Sequence, residues 1–135
     1  MATILIVEDV DPVRVLSESI LQDAGYKVIA ATAVDGSLAL LETDQSIDLL
    51  FIDVILEQDL EAGLRVAQKA RETRAEMPIV YTSGLGVNDG MKALFVEPFL
   101  FLPKPYTAEQ LVKTIKYLLL KSNPREPLKF PPDQQ

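Results

Sequence analysis

Four apolar runs in this chain each end in polar residues of a different kind. Residues 4–7 (ILIV) end in Glu8-Asp9, and residues 49–52 (LLFI) end in Asp53. Residues 79–82 (IVYT) end in Ser83, and residues 99–102 (FLFL) run into Pro103-Lys104-Pro105. Short runs of this kind read as strands buried on both faces, as in a parallel sheet. Parallel strands present their C-terminal ends along one edge, so three carboxylates, a hydroxyl and an ammonium gather there. Carboxylate oxygens suit a hard divalent cation, while the hydroxyl and ammonium suit a phosphoryl group. Taken singly, each residue has a plainer use. A strand-end acid is commonly a loop residue or helix cap, a serine a turn former, a lysine a solvated charge. The complete set, in this order at strand ends, is what points to chemistry.

Alternating strands and helices must position that set. A strand over residues 3–8 leads to a helix with Asp11 as N-cap and Pro12 at its first position, where a missing N–H costs nothing. Leu16, Ile20, Leu21 and Ala24 give this helix an apolar face, and Gly25 ends it. A strand follows over 26–30, then a short helix over 34–42 with Leu38, Ala39 and Leu41 inward. The third strand covers 48–52 and its helix 61–75; the fourth covers 78–83 and its helix 88–95. The fifth strand covers 99–102. Thr107 and Gln110 form a capping box that opens a helix over 108–121, with Leu111, Ile115, Leu118 and Leu119 on its buried stripe. Five βα units imply an α/β fold, a doubly wound (βα)5 three-layer sandwich. In its flavodoxin-like form the strand order is 2-1-3-4-5. Strands 1 and 3 then flank the topological switch point where ligands bind.

Composition bounds the rest. With 135 residues, 48% of them apolar, the chain can build one real core. We expect a single domain over 1–122. The tail, 123–135, holds four prolines and reads as extended. No apolar run approaches the roughly 20 residues of a membrane span, so no membrane insertion is expected. Cysteine is absent, which excludes disulfides and thiolate chemistry and agrees with a cytoplasmic location. Histidine is absent too, so no imidazole acts as base, ligand or phosphate carrier on this chain. A net charge of −7 disfavours direct nucleic-acid binding.

Over residues 1–122 the chain resembles the receiver domain of bacterial response regulators, the CheY-like modules of two-component systems and phosphorelays, here in single-domain form. The resemblance rests on Glu8-Asp9, Asp53, Ser83 five residues after Pro78, and Lys104-Pro105. It implies that Asp53 is the phosphoacceptor, and that Glu8, Asp9, Asp53 and the Ile55 backbone carbonyl hold Mg²⁺ or Mn²⁺. Lys104 and Ser83 would contact the phosphoryl group, and Ser83 with Phe101 would form the switch. A cis Lys104–Pro105 bond is implied as well. The phosphodonor would be a histidine kinase or a histidine phosphotransfer protein. Output would pass to a downstream protein target, or to a second copy as a homodimer, through the face of the fourth helix, fifth strand and fifth helix. Such a protein is no enzyme beyond its own phosphorylation and dephosphorylation. The segment from Asp53 to Gly63 departs from the family: it is longer than the commonest form, and Glu57 stands where proline is usual. Two alternatives follow. One is a receiver-like interaction module that does not cycle phosphate. The other is a haloacid-dehalogenase-like phosphatase with Asp9 as nucleophile and Asp11 as acid/base, suggested by Asp9-Val10-Asp11-Pro12-Val13.

Overall fold

Apolar runs alternating with amphipathic stretches fold into five βα units in the computed structural model, which describes residues 1–121. The elements are β1 (Thr3–Val7), α1 (Asp11–Asp23), β2 (Lys27–Ala31), α2 (Val34–Leu41), β3 (Leu49–Asp53), α3 (Leu60–Thr73), β4 (Ile79–Ser83), α4 (Asp89–Lys92), β5 (Phe99–Pro103) and α5 (Ala108–Lys121). The sheet is parallel throughout, in the order β2-β1-β3-β4-β5. The Pro-rich tail anticipated from the sequence lies outside the described residues.

Strand side chains alternate between faces, and two apolar clusters result. Leu5, Val7, Leu50, Ile52, Ile79 and Tyr81 meet Val34 and Leu41 of α2 and Val66, Ala67 and Ala70 of α3. On the other face Ile4, Ile6, Phe51, Val80 and Leu102 meet Leu21 of α1 and Leu111, Ile115 and Leu118 of α5. β1, β3 and β4 are buried along their whole length, which is why their sequences are continuous apolar runs. The capping box forms: the Thr107 Oγ1 accepts from Gln110 N at 3.0 Å, and Thr107 N donates to the Gln110 carboxamide at 2.9 Å. Gly25 ends its helix region with φ +97°, a conformation glycine adopts without steric cost.

Several local expectations are corrected. Asp11 is not the N-cap; Val10 holds that position, and Asp11 lies in the first turn, paired with Arg14 at 2.8 Å. Leu16 and Ala24 of α1 are exposed, because the helix packs through Ser17 and Leu21. Ala39 of α2 is exposed as well; Val34, Ser37 and Leu41 face the core, with the Ser37 hydroxyl satisfied by Ala33 O. Leu119 is only half-buried, while Thr114 and Tyr117 of α5 are buried. α4 is one turn long and ends well short of Phe95, whose ring is drawn into the sheet instead.

Gly63 fixes how close α3 comes to the end of β3. A Cβ there would overlap the Val54 carbonyl oxygen, a backbone atom that cannot move aside cheaply. Gly63→Ala is therefore expected to destabilise the fold by about 2 kcal/mol or more, as overpacking against a fixed backbone does. Urea unfolding of the two proteins measures this, and equal midpoints would refute it.

Candidate functional site

The register of the sheet assembles the site. β1 and β3 are neighbours, with Val7 opposite Ile52, so Glu8 and Asp53 emerge side by side. Asp53 is opposite Thr82 on β4, and Ser83 is opposite Pro103 on β5. Lys104 follows at once, its N–H donating to Ser83 O at 3.0 Å. The Lys104–Pro105 peptide bond is cis, as is Glu97–Pro98.

Lys104 then reaches back across the sheet. Its Nζ donates to Asp53 Oδ2 and to Glu8 Oε1, each at 2.7 Å. Both carboxylates are buried. The Ile55 N–H donates to the other Asp53 oxygen at 2.9 Å, and Val10 N–H donates to Glu8 Oε2 at 3.2 Å. Asp9 is half-buried, and its Oδ2 accepts the Glu57 N–H at 3.0 Å. Ligand oxygens of Glu8, Asp9 and Asp53 all lie within 4.8 Å of one another. Ser83 is buried beside this group, and its Oγ accepts Leu85 N–H at 3.0 Å. Phe101 is half-buried further from the edge, stacked loosely on Phe95 at 6.4 Å between ring centres.

Burial pushes the Glu8 carboxyl above the usual carboxylate range; the bonds from Lys104 and Val10 oppose this but do not cancel it. For Lys104, burial works against the ammonium. The bonds to Asp53 and Glu8 and their charges outweigh it, and the lysine pKa is raised. The two shifts agree physically: burial disfavours the charged Glu8 carboxylate, and the neighbouring carboxylates hold the proton on Lys104. Three hard oxygen donors at this spacing fit a magnesium-sized cation, which takes carboxylates singly and keeps several waters.

A sequence profile of the response regulator receiver domain matches residues 4–116. The chain belongs to the response regulator receiver family. Among receiver-containing relatives, the sensor kinase CckA of Brucella abortus is 33% identical over 125 residues, which is 90% of this chain and 13% of that protein. A receiver protein from Sinorhizobium medicae is 34% identical, with a TM-score of 0.80 over 93% of this chain and 97% of that one. A CheY-like receiver from Methanospirillum hungatei, 22% identical, shares the fold with a TM-score of 0.81. This chain thus spans only a small part of the sensor kinase, and nothing of that protein's kinase activity transfers with the similarity. A receiver is a signalling domain rather than a conventional enzyme. No helix among the described residues is long and apolar enough to cross a membrane.

The receiver pocket unites Glu8, Asp9, Asp53 and Lys104, with Ser83 at its side. Asp11, the acid/base of the phosphatase alternative, stays outside: it is exposed and paired with Arg14. Three supports were not visible in the sequence. Arg14 Nη1 donates to Glu8 O at 3.2 Å; Ser17 and Tyr106 hydroxyls bond at 2.7 Å, joining α1 to the segment after Lys104; and the Glu57 amide meets Asp9. The last two are meetings of residues far apart in sequence, and the first spans the β1–α1 turn with no motif to mark it.

Removing the ammonium should expose what it opposes. Lys104→Met deletes the chief bond and a favourable charge that hold the Glu8 pKa down, so Glu8 should titrate at a higher pH than in the unaltered protein. Carboxyl ¹³C shifts followed through a pH series report this, and an unmoved or lower midpoint would place Glu8 outside the lysine's influence.

Proposed function

We propose that this receiver accepts a phosphoryl group on Asp53 in a metal-assisted reaction and uses the modified state to change a protein contact. The observation that carries this reading is the half-buried Lys104 ammonium bridging the buried Glu8 and Asp53. That arrangement holds an acid-rich pocket in readiness for a larger positive charge and an incoming anion. Glu8, Asp9, Asp53 and the Ile55 carbonyl would hold Mg²⁺ or Mn²⁺. The bound cation would offset the carboxylate charge that otherwise repels phosphate. An Asp53 oxygen attacks phosphorus in line; the new P–O bond forms as the donor's P–N bond breaks, and the imidazole leaves with the electron pair. Lys104 turns its ammonium to the transferred phosphoryl oxygens, and the Ser83 hydroxyl donates to one of them.

The donor in this reading is a histidine kinase or histidine phosphotransfer protein. A groove of about 350 Å³, lined by Pro12, Val13, Leu16, Pro105 and Tyr106, opens against Lys104. It explains why Leu16 is left 62% exposed. An apolar helix face resting there would bring its histidine to the pocket's rim.

Asp53→Asn is expected to abolish Mg²⁺-dependent labelling by acetyl phosphate or phosphoramidate while leaving circular dichroism and thermal unfolding intact. Peptide mass spectrometry maps the modified residue. Label on Asp9 would restore the phosphatase chemistry, and no label on any residue would favour the second reading, a module that binds without cycling phosphate. What keeps that reading open is the altered turn at Glu57 beside the pocket.

Output is proposed on the face of α4, β5 and α5. Leu94 is exposed there, and Val96, Phe99 and Phe101 are half-buried. Movement of Ser83 toward a phosphoryl group would let Phe101 shift inward, biasing a two-position element. Beryllofluoride, a phosphate mimic, should change amide hydrogen exchange around residues 95–106 and, if the contact is a homodimer, the sedimentation rate. Changes confined to α1 would place the interface elsewhere.

A further inference from the structure

The segment after Asp53 contains a turn that the sequence does not advertise. Leu56 and Asp59 pair across it: Asp59 N donates to Leu56 O at 2.8 Å, and Leu56 N to Asp59 O at 3.3 Å. The two residues between them, Glu57 and Gln58, have φ of +52° and +63°. A two-residue loop with both φ values positive normally calls for Asn-Gly or Asp-Gly. Glutamate and glutamine gain nothing by adopting it on their own. The turn is braced on both sides. Leu56 is fully buried, and the Asp59 side chain accepts Glu61 N–H at 2.9 Å as the cap of α3. From this rigid base the Glu57 N–H points to Asp9 Oδ2 at 3.0 Å. Strained backbone persists where surrounding structure enforces it, and it clusters at functional sites.

We propose that the Glu57–Gln58 turn is a positioning element for the metal pocket: its Glu57 amide holds Asp9 by one oxygen and presents the other for a cation. The proposal rests on the metal-assisted reading given above. The group that acts is the backbone N–H; the Glu57 carboxylate is exposed and is not needed. A carboxylate with one oxygen already engaged offers itself singly, which suits Mg²⁺ and its octahedral shell better than Ca²⁺, which often takes carboxylates through both oxygens. Loss of such an outer partner typically costs about 10–100-fold in metal affinity.

The experiment combines calorimetric titration of Mg²⁺ with amide hydrogen exchange of the metal-free protein. Exchange at Glu57 should be slow in the unaltered chain and fast in Asp9→Ala, which tests the bond without any metal. Glu57→Gln, and Glu57→Asn together with Gln58→Gly, keep the amide and the turn, and should bind Mg²⁺ within about twofold of the unaltered protein. A chain lacking Glu57 and Gln58, confirmed folded by thermal unfolding, should bind about tenfold more weakly or worse. It should also discriminate less between Mg²⁺ and Ca²⁺. If Glu57→Gln alone weakens binding as much as the deletion, the side chain rather than the amide acts, and the proposal is overturned. Mg²⁺ affinity unchanged in a folded deletion variant overturns it as well, while leaving the metal-assisted reading standing. An unaltered protein that binds no Mg²⁺ defeats both. If Glu57 exchanges fast in the unaltered metal-free protein, the Asp9 contact does not form and the positioning role is overturned by that result alone.

Discussion

Two carboxylates buried side by side at the end of adjacent strands repel each other. Glu8 and Asp53 stand in that relation here, and the Lys104 ammonium, 2.7 Å from each, does most to make it tolerable, helped by the Val10 and Ile55 amides. The rest of the fold can be understood as what brings that lysine to its place. β5 must lie beyond β4 and end where β4 ends, and the Lys104 N–H must be caught by Ser83 O. The chain then runs on into the segment fastened by the Tyr106–Ser17 hydroxyl pair. Each step adds a constraint that is cheap in itself and fixes one more degree of freedom of a flexible side chain. The outcome is a pocket whose charges are placed by the fold before anything enters it.

The glycine at position 63 serves the same end from the opposite side of the pocket. It lets α3 approach the backbone that follows Asp53 more closely than any side chain would permit. The edge carrying Asp53 is thereby held between a helix and a strand, and the Ile55 N–H stays aimed at the Asp53 carboxylate. Packing density and site geometry are one problem here, because the residues that end the buried strands are also the residues that carry charge.

Much of this could be read from the sequence, for a definite reason. Strands buried on both faces have to be uninterrupted apolar runs, so β1, β3 and β4 announce themselves, and the polar residue that stops each run marks the sheet edge. Five βα units imply a parallel sheet, its order 2-1-3-4-5 came with the flavodoxin-like form, and Thr107 with Gln110 is a purely local signal that the structure repeats. Much of what could not be read depends on partners distant in sequence, and the rest on local choices that residue type leaves open. Helical spacing made Leu16 a core residue, but spacing does not say whether anything covers the stripe; at that end of α1 the apolar residues line an open groove. Asp11 has the chemistry of a cap and pairs with Arg14 instead. α4 was expected to reach Phe95. It stops at Lys92 because Tyr81, far away on β4, stacks on the Phe95 ring at 3.9 Å and takes the Val96 N–H on its hydroxyl. The left-handed turn at Glu57 and Gln58 has no glycine or asparagine to give it away.

That Tyr81–Phe95 stack has a thermodynamic side. Between Ser83 and Phe99 the chain has a single helical turn, and the segment is held to the body of the protein by the Phe95 ring, by Val87 and Val96, and by the hydrogen bonds from Val96 N–H to the Tyr81 hydroxyl and from Ile79 N–H to Pro98 O. Burial of a phenylalanine side chain is worth roughly 1.5–3 kcal/mol, well below the total stability of a domain of this size. Segments with little regular structure of their own open more cheaply than buried parallel strands, so this stretch is the part of the fold that can rearrange while the sheet stays closed. A partner that preferred one arrangement of this stretch would shift it without disturbing the strands beneath.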